Sequence, residues 1–189
     1  MAIKPGARRL QILQTLASML ENPRAERVTT AALAAKLAVS EAALYRHFAS
    51  KAQMYEGLIE FIETTLFTLV NKISGDTPDG VAQAQQIVAV LLGFAEKNPG
   101  MTRVLIGEAL VNEDERLQAR INQLYDRIEA ALRQALRIAQ ASGKWAGDPN
   151  PDANVLLAFV LGRWQLFAKS GFKRGPQEGW DEQRKFLFG

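Results

Sequence analysis

Tyr45, Arg46, His47 and Lys51 lie within seven residues of one another, just after two small residues, Ala42 and Ala43. A phenol, a guanidinium, an imidazole and an ammonium all reach phosphate oxygens, and alanines let a helix come close to base edges in a groove. Ser40 stands where a helix N-cap is needed, and Glu41 puts a carboxylate in the first turn, where the helix dipole favours it. Thr29 and Thr30, preceded by Arg27, are hydroxyl residues at the start of an earlier helical pattern. The chemistry on offer is backbone positioning and groove reading on double-stranded DNA, with Ala42 and Ala43 nearest the bases.

Two short helices and a longer one must hold these groups. Leu33, Ala34 and Leu37 recur at helical spacing after the threonines, Ala38 and Val39 make a tight turn, and SEAALYRH forms the second helix. Leu44 and Phe48, four residues apart, face inward and leave Ala42, Ala43, Tyr45, Arg46 and His47 on the outer faces. The pattern is that of a helix-turn-helix, although two short helices around a tight turn also arise as ordinary packing.

Charge placement favours a nucleic-acid partner over a merely soluble basic face. The net charge is +3, with 23 Lys and Arg against 20 Asp and Glu. Residues 1–52 carry eight basic residues against three acids, and the remainder carries fifteen against seventeen. A phosphate backbone is the natural partner of such an asymmetry. Apolar residues make up 48% of the 189, so one or two small domains with a real core are expected. The chain contains no cysteine, which removes disulfides and thiolate chemistry and agrees with a reducing cytoplasm. No run approaches the roughly 20 apolar residues of a membrane span, and the N-terminus reads as an amphipathic helix rather than a signal peptide.

Almost every other segment also reads as helix, so the expected fold is all-α, with a DNA-binding domain at 1–52 and a helical domain at 53–189. Helices are expected at about 51–73, 81–97, 101–109, 113–141 and 152–170, with 74–80 as a breaker loop and a loop plus short helix at the end. Leu117, Ile121, Leu124 and Ile128 begin the cleanest stripe in the chain, and Phe159, Arg163, Trp164 and Phe167 mark the next helix. Both helices are apolar on more than one side. The surplus fits a homodimer interface of two helices per chain, or burial inside a single core. Two-fold readout of a palindromic site favours the dimer, because one short recognition helix contacts few bases.

Catalytic chemistry finds little support. His47 is the only histidine, so a catalytic triad would have to be built on the recognition helix; no phosphate-binding glycine loop is present, and neither metal nor cofactor is expected. Glu113, Asp114 and Glu115 suit a helix first turn rather than a metal site. Trp145, Trp164 and Phe167 could line a ligand cavity, but aromatics at helical spacing are more often core.

The order of residues in VTTAALAAKLAVSEAALYRHFASKAQMYEGL, residues 28–58, resembles the DNA-binding domain of the TetR family, whose recognition helix closes on Tyr-x-His-Phe before a Ser-Lys that opens the next helix. Here those residues are Tyr45, His47, Phe48, Ser50 and Lys51. The family often has glycine in the turn where this chain has Ala38. LIEFIE at 58–63, LLGFAEKNPGMTRVLIGEAL at 91–110 and RLQARINQLYDRIEAALRQALR at 116–137 narrow the likeness to the nucleoid occlusion factors within that family. This resemblance implies a cytoplasmic, nucleoid-associated homodimer that binds palindromic chromosomal sites. It also implies that the protein antagonises polymers of the tubulin-like division protein FtsZ while bound there. The FtsZ-binding groove of those proteins lies between the fourth and fifth helices. The resemblance carries it to Phe61, Leu69, Val90, Gly93, Lys97 and Asn98, with Leu69 and Lys97 replacing arginines of the family. Read alone, a mid-helix glycine such as Gly93 suggests close approach by another backbone, or close packing inside the protomer. The alternative to division control is a ligand-responsive TetR-type repressor.

Overall fold

The computed structural model describes residues 5–22 and 28–189; Arg27, one of the expected DNA contacts, lies outside them. In chain order the helices are α1 (Pro5–Leu20), α2 (Thr30–Lys36), α3 (Glu41–Tyr45), α4 (Lys51–Asp76), α5 (Gly80–Lys97), α6 (Pro99–Leu105), α7 (Glu115–Ala141), α8 (Pro149–Lys169) and α9 (Trp180–Phe188). A single 3₁₀ turn, Glu108–Leu110, links α6 to α7. No strand occurs among the described residues.

Local chemistry sets most helix starts. Thr29, Ser40, Ser50, Asp79, Asp114 and Asp148 each accept a backbone N–H of the first turn with their side chains. Each such cap is worth about 1 kcal/mol relative to alanine. Asp79 caps α5 at Gly80, and α4 runs on to Asp76, so the expected 74–80 loop shrinks to three residues. Asp148 starts α8 three residues earlier than Asp152, with Pro149 in the first turn, where the missing N–H costs nothing. Gly107, at φ 77°, ends the sixth helical segment before the expected 109.

The α2–α3 turn closes as a Schellman motif. The Val39 N–H donates to the Ala34 carbonyl and the Ala38 N–H to that of Ala35, with Ala38 at φ 53°. Alanine adopts this left-handed conformation at a cost of roughly 1 kcal/mol relative to glycine, so Ala38 keeps the turn geometry that the family often assigns to glycine.

The core of the larger domain is α5 enclosed by α4, α7 and α8. Here the expected interface residues need correction. Leu117, Ile121, Leu124, Ile128, Trp164 and Phe167 are all buried within the single chain. Their stripe faces α5 and α8, and the Trp164 indole N–H donates to the Leu91 carbonyl at 3.1 Å. The same burial makes Trp164 and Phe167 core rather than the lining of an open ligand cavity. Phe159 is half-buried against Trp180, with ring centroids 6.0 Å apart, and Arg163 bonds to carbonyls of its own chain. The outer surface of α8 carries different residues: Val155 and Leu166, both exposed, with Ala158 and Gly162 between them at helical spacing.

The N-terminal helices are locked onto this core. A Cβ on Gly100 would lie 2.0 Å from the Ala17 carbonyl oxygen, so α6 meets α1 at a distance only glycine allows. The Arg103 guanidinium donates to the carbonyls of Leu20 and Asn22 and pairs with Glu108 at 2.7 Å.

Candidate nucleic-acid interface and an adjoining groove

The recognition helix α3 is short, and its polar groups are pre-set by local bonds. Ser40 Oγ accepts the Ala43 N–H at 3.3 Å, and Thr29 Oγ1 accepts that of Ala32 at 3.1 Å. The Thr30 hydroxyl donates to Glu41 Oε2 at 2.6 Å, which clasps α2 to α3 and orients the only carboxylate on the recognition helix. Leu44 and Phe48 are buried beneath, as their spacing requires. Ala42, Tyr45 and Arg46 are exposed, and Ala43 and His47 are half-buried.

Arg9, one of the eight basic residues of 1–52, holds the end of this unit. Its guanidinium donates to the His47 carbonyl at 2.7 Å and stacks over the Phe48 ring at 4.2 Å. No sequence pattern linked α1 to that carbonyl 38 positions away.

Lys51 departs from its expected role. Its ammonium lies 2.5 Å from Glu113 Oε1, with Lys51 largely and Glu113 almost wholly buried. Lys51 thus pairs across the two halves of the chain instead of standing free for phosphate. Glu113 is correspondingly an ion-pair partner ahead of α7 rather than a first-turn residue, a place taken by Glu115. Asp114 takes the N-cap of that helix: the Arg116 guanidinium bonded to its carboxylate lowers its pKa to about 2.

A second feature opens beside this unit, between α4 and α5. Phe61, Thr65 and Leu69 follow one another at four-residue spacing on the outer face of α4, and Val90, Gly93, Phe94 and Lys97 line the facing side of α5. Together with Ala89, Asn98 and Gln177 they bound a groove of about 510 Å³. All six residues carried over from the family resemblance converge on it. Phe61 and Leu69 remain 42% and 41% exposed, an uncovered apolar floor of the kind that marks interaction sites. Among the described residues, Lys97 is the only charged group of the lining and has no ion-pair partner. The Asn98 amide N–H donates to the Phe94 carbonyl at 2.7 Å, closing the end of α5.

Gly93 differs from its sequence reading. A Cβ there would meet no backbone but the side-chain amide of Gln177, at 3.2 Å. Gln177 carries no signal in the sequence: it lies in a loop far along the chain, with no periodicity to connect it to α5.

Comparison with known proteins gives the family of the chain. Residues 25–58 match the family described as bacterial regulatory proteins, tetR family, and residues 79–189 match the tetracyclin repressor-like, C-terminal domain. The chain is 52% identical over 184 residues to the nucleoid occlusion factor SlmA of Alteromonas mediterranea, covering 96% of this chain and 94% of that protein. It is 50% identical over 185 residues to SlmA of Marinomonas sp., with 97% and 94% covered. The fold superposes on the TetR family transcriptional regulator PfmR of Thermus thermophilus with a TM-score of 0.79, at 21% identity, over 94% of this chain and 97% of that one. The chain belongs to the TetR family of helix-turn-helix regulators and, within it, to the nucleoid occlusion factors of the SlmA type.

Proposed function

We propose that this nucleoid occlusion factor binds palindromic DNA sites on the chromosome as a homodimer and, while bound, engages the acidic C-terminal tail of FtsZ in the α4–α5 groove, antagonising FtsZ polymers over the nucleoid. The convergence of Phe61, Leu69, Val90, Gly93, Lys97 and Asn98 on one open groove carries the reading. Its apolar floor suits apolar tail side chains, and Lys97 suits a carboxylate. Leu69, standing where the family has arginine, extends the floor and leaves Lys97 as the single cation among the described lining residues.

On the DNA side, Tyr45, Arg46 and His47 position the backbone, with Thr29 and Ser40 presenting the capped helix starts. Ala42 and Ala43 lie nearest base edges, and Thr30 and Glu41 fix the angle between the two helices. The two surfaces are separate, so the two activities are separable. Lys97→Glu reverses the charge of the groove. It should abolish most binding of a fluorescently labelled FtsZ tail peptide in anisotropy while operator affinity stays within about threefold, because distant surface changes rarely couple strongly. Unchanged peptide binding by a well-folded Lys97→Glu protein would remove the groove from the reading. An unmutated protein that fails to bind FtsZ with or without DNA would leave a ligand-responsive repressor.

A further inference from the structure

The loop between α8 and α9 is tied down more tightly than its surface position requires. Arg163 Nε donates to the Pro176 carbonyl at 3.0 Å, and its Nη2 donates to the carbonyls of Gly175 and Glu178, both at 2.8 Å. Pro176 is buried, and a Cβ on Gly175 would lie 2.4 Å from the Glu96 carboxylate, so the loop is pressed onto α5. Ser170 Oγ accepts the N–H groups of Lys173 and Arg174 at 3.1 and 2.9 Å and fixes the loop's entry. The three carbonyls around Gln177 thus converge on one guanidinium, while the exposed Gln177 side chain reaches the edge of Gly93. That side chain makes no hydrogen bond to any described residue.

A peptide lying in the groove brings one N–H and one C=O per residue onto a floor of Phe61, Leu69, Ala89, Val90 and Phe94, which can satisfy neither. Leaving such groups desolvated and unpaired is costly. Of the two primary amides at the rim, Asn98 already spends one of its two N–H donors on the Phe94 carbonyl, whereas Gln177 spends none on any described residue. The Gln177 amide offers both a donor and an acceptor, the pair that one residue of peptide main chain demands. Its immobilised loop also limits the ordering cost of using it.

We infer that Gln177, held over Gly93 by the Arg163 clamp, is a further peptide-binding residue that hydrogen-bonds the main chain of the peptide docked in the α4–α5 groove. This rests on the reading of that groove as the FtsZ tail site. Arg163 is a positioning residue that acts through the loop.

The test uses the full-length protein, the labelled FtsZ tail peptide, and Gln177→Met, which keeps the length of the side chain and removes its amide. Peptide affinity should fall about three- to tenfold, the worth of one net hydrogen bond, with operator affinity unchanged. Arg163→Met should produce a similar loss; if it disturbs folding, the exposed Gln177 variants still decide the matter. A peptide N-methylated at the bonded residue should lose affinity for the unmutated protein and little further for Gln177→Met. If Gln177→Met binds normally while Gln177→Ala is weak, Gln177 is a packing lid and the hydrogen-bonding role fails. If both Gln177 variants bind normally while Lys97→Glu does not, the inference fails and the groove stands. If none of the three changes binding, the groove reading itself fails.

Discussion

The Lys51 ammonium lies 2.5 Å from Glu113 Oε1, joining the first residue of α4 to the residue just before the Asp114 cap of α7. Glu113 is almost fully buried, and Lys51 is one of the partners that hold its carboxylate there. Lys51→Ala should therefore act on stability, costing about 1–3 kcal/mol by removing one charged partner of a buried carboxylate. Lys51→Ala/Glu113→Gln together should cost less than the sum of the two single changes. Denaturant melts measure both. The slope of log affinity against log salt should stay as it is, whereas a phosphate contact by Lys51 would lower it by about one unit.

Arg46 is the contrasting case. It is exposed at the end of α3 and has no ion pair among the described residues. Arg46→Ala should weaken binding to specific and nonspecific DNA alike and reduce the salt slope by about one unit, without altering stability. Filter binding over a salt series with two unrelated duplexes gives the answer; a change in sequence preference would instead assign Arg46 to base reading.

Assembly should follow the outer face of α8. Leu166→Glu, or Gly162→Glu beside it, should yield folded monomers that bind half-sites weakly, since both positions are open in the single chain. Leu124→Glu should unfold the chain, because that side chain is fully buried within one protomer. Sedimentation combined with circular dichroism separates the two outcomes. A Leu166→Glu protein that remains dimeric would move the interface elsewhere.

Alkaline stability should report on Tyr125. Its hydroxyl donates to the Leu105 carbonyl, and burial raises its pKa from 10.0 to about 12. The neutral form is favoured in the fold, so this contribution is fully present below pH 10 and is lost as the pH rises from 10 towards 12. Tyr125→Phe should cost about 1 kcal/mol at neutral pH and flatten the loss of stability above pH 10. Melts at about pH 8 and about pH 11, on either side of the ordinary phenol pKa, compare the two proteins; parallel losses would place the alkaline sensitivity in another group.

Much of this was legible in the sequence for local reasons. Thr29 and Ser40 mark helix starts because a hydroxyl two or three residues ahead of an orphan N–H caps it wherever the chain goes. Leu44 and Phe48 declare their burial by four-residue spacing, which is a property of any helix. The groove residues came from family resemblance rather than periodicity, and they meet because Phe61 and Leu69 share one face of α4 while Val90, Gly93 and Lys97 share one face of α5.

Other features depend on which helix meets which, and no single-helix pattern holds that information. The stripe from Leu117 to Ile128 declared only that it must be covered; the packing of α7 on α5 and α8 decided that its own chain covers it. Lys51 was a free cation until Glu113, 62 positions away, came within ion-pair distance. Arg163 and Gln177 acquired their places only when the loop after α8 folded back onto α5. Composition, caps and periodicity are set by near neighbours along the chain and determined the helices. Charge pairing, burial and groove shape are set by neighbours in space, and the tertiary structure alone decided those.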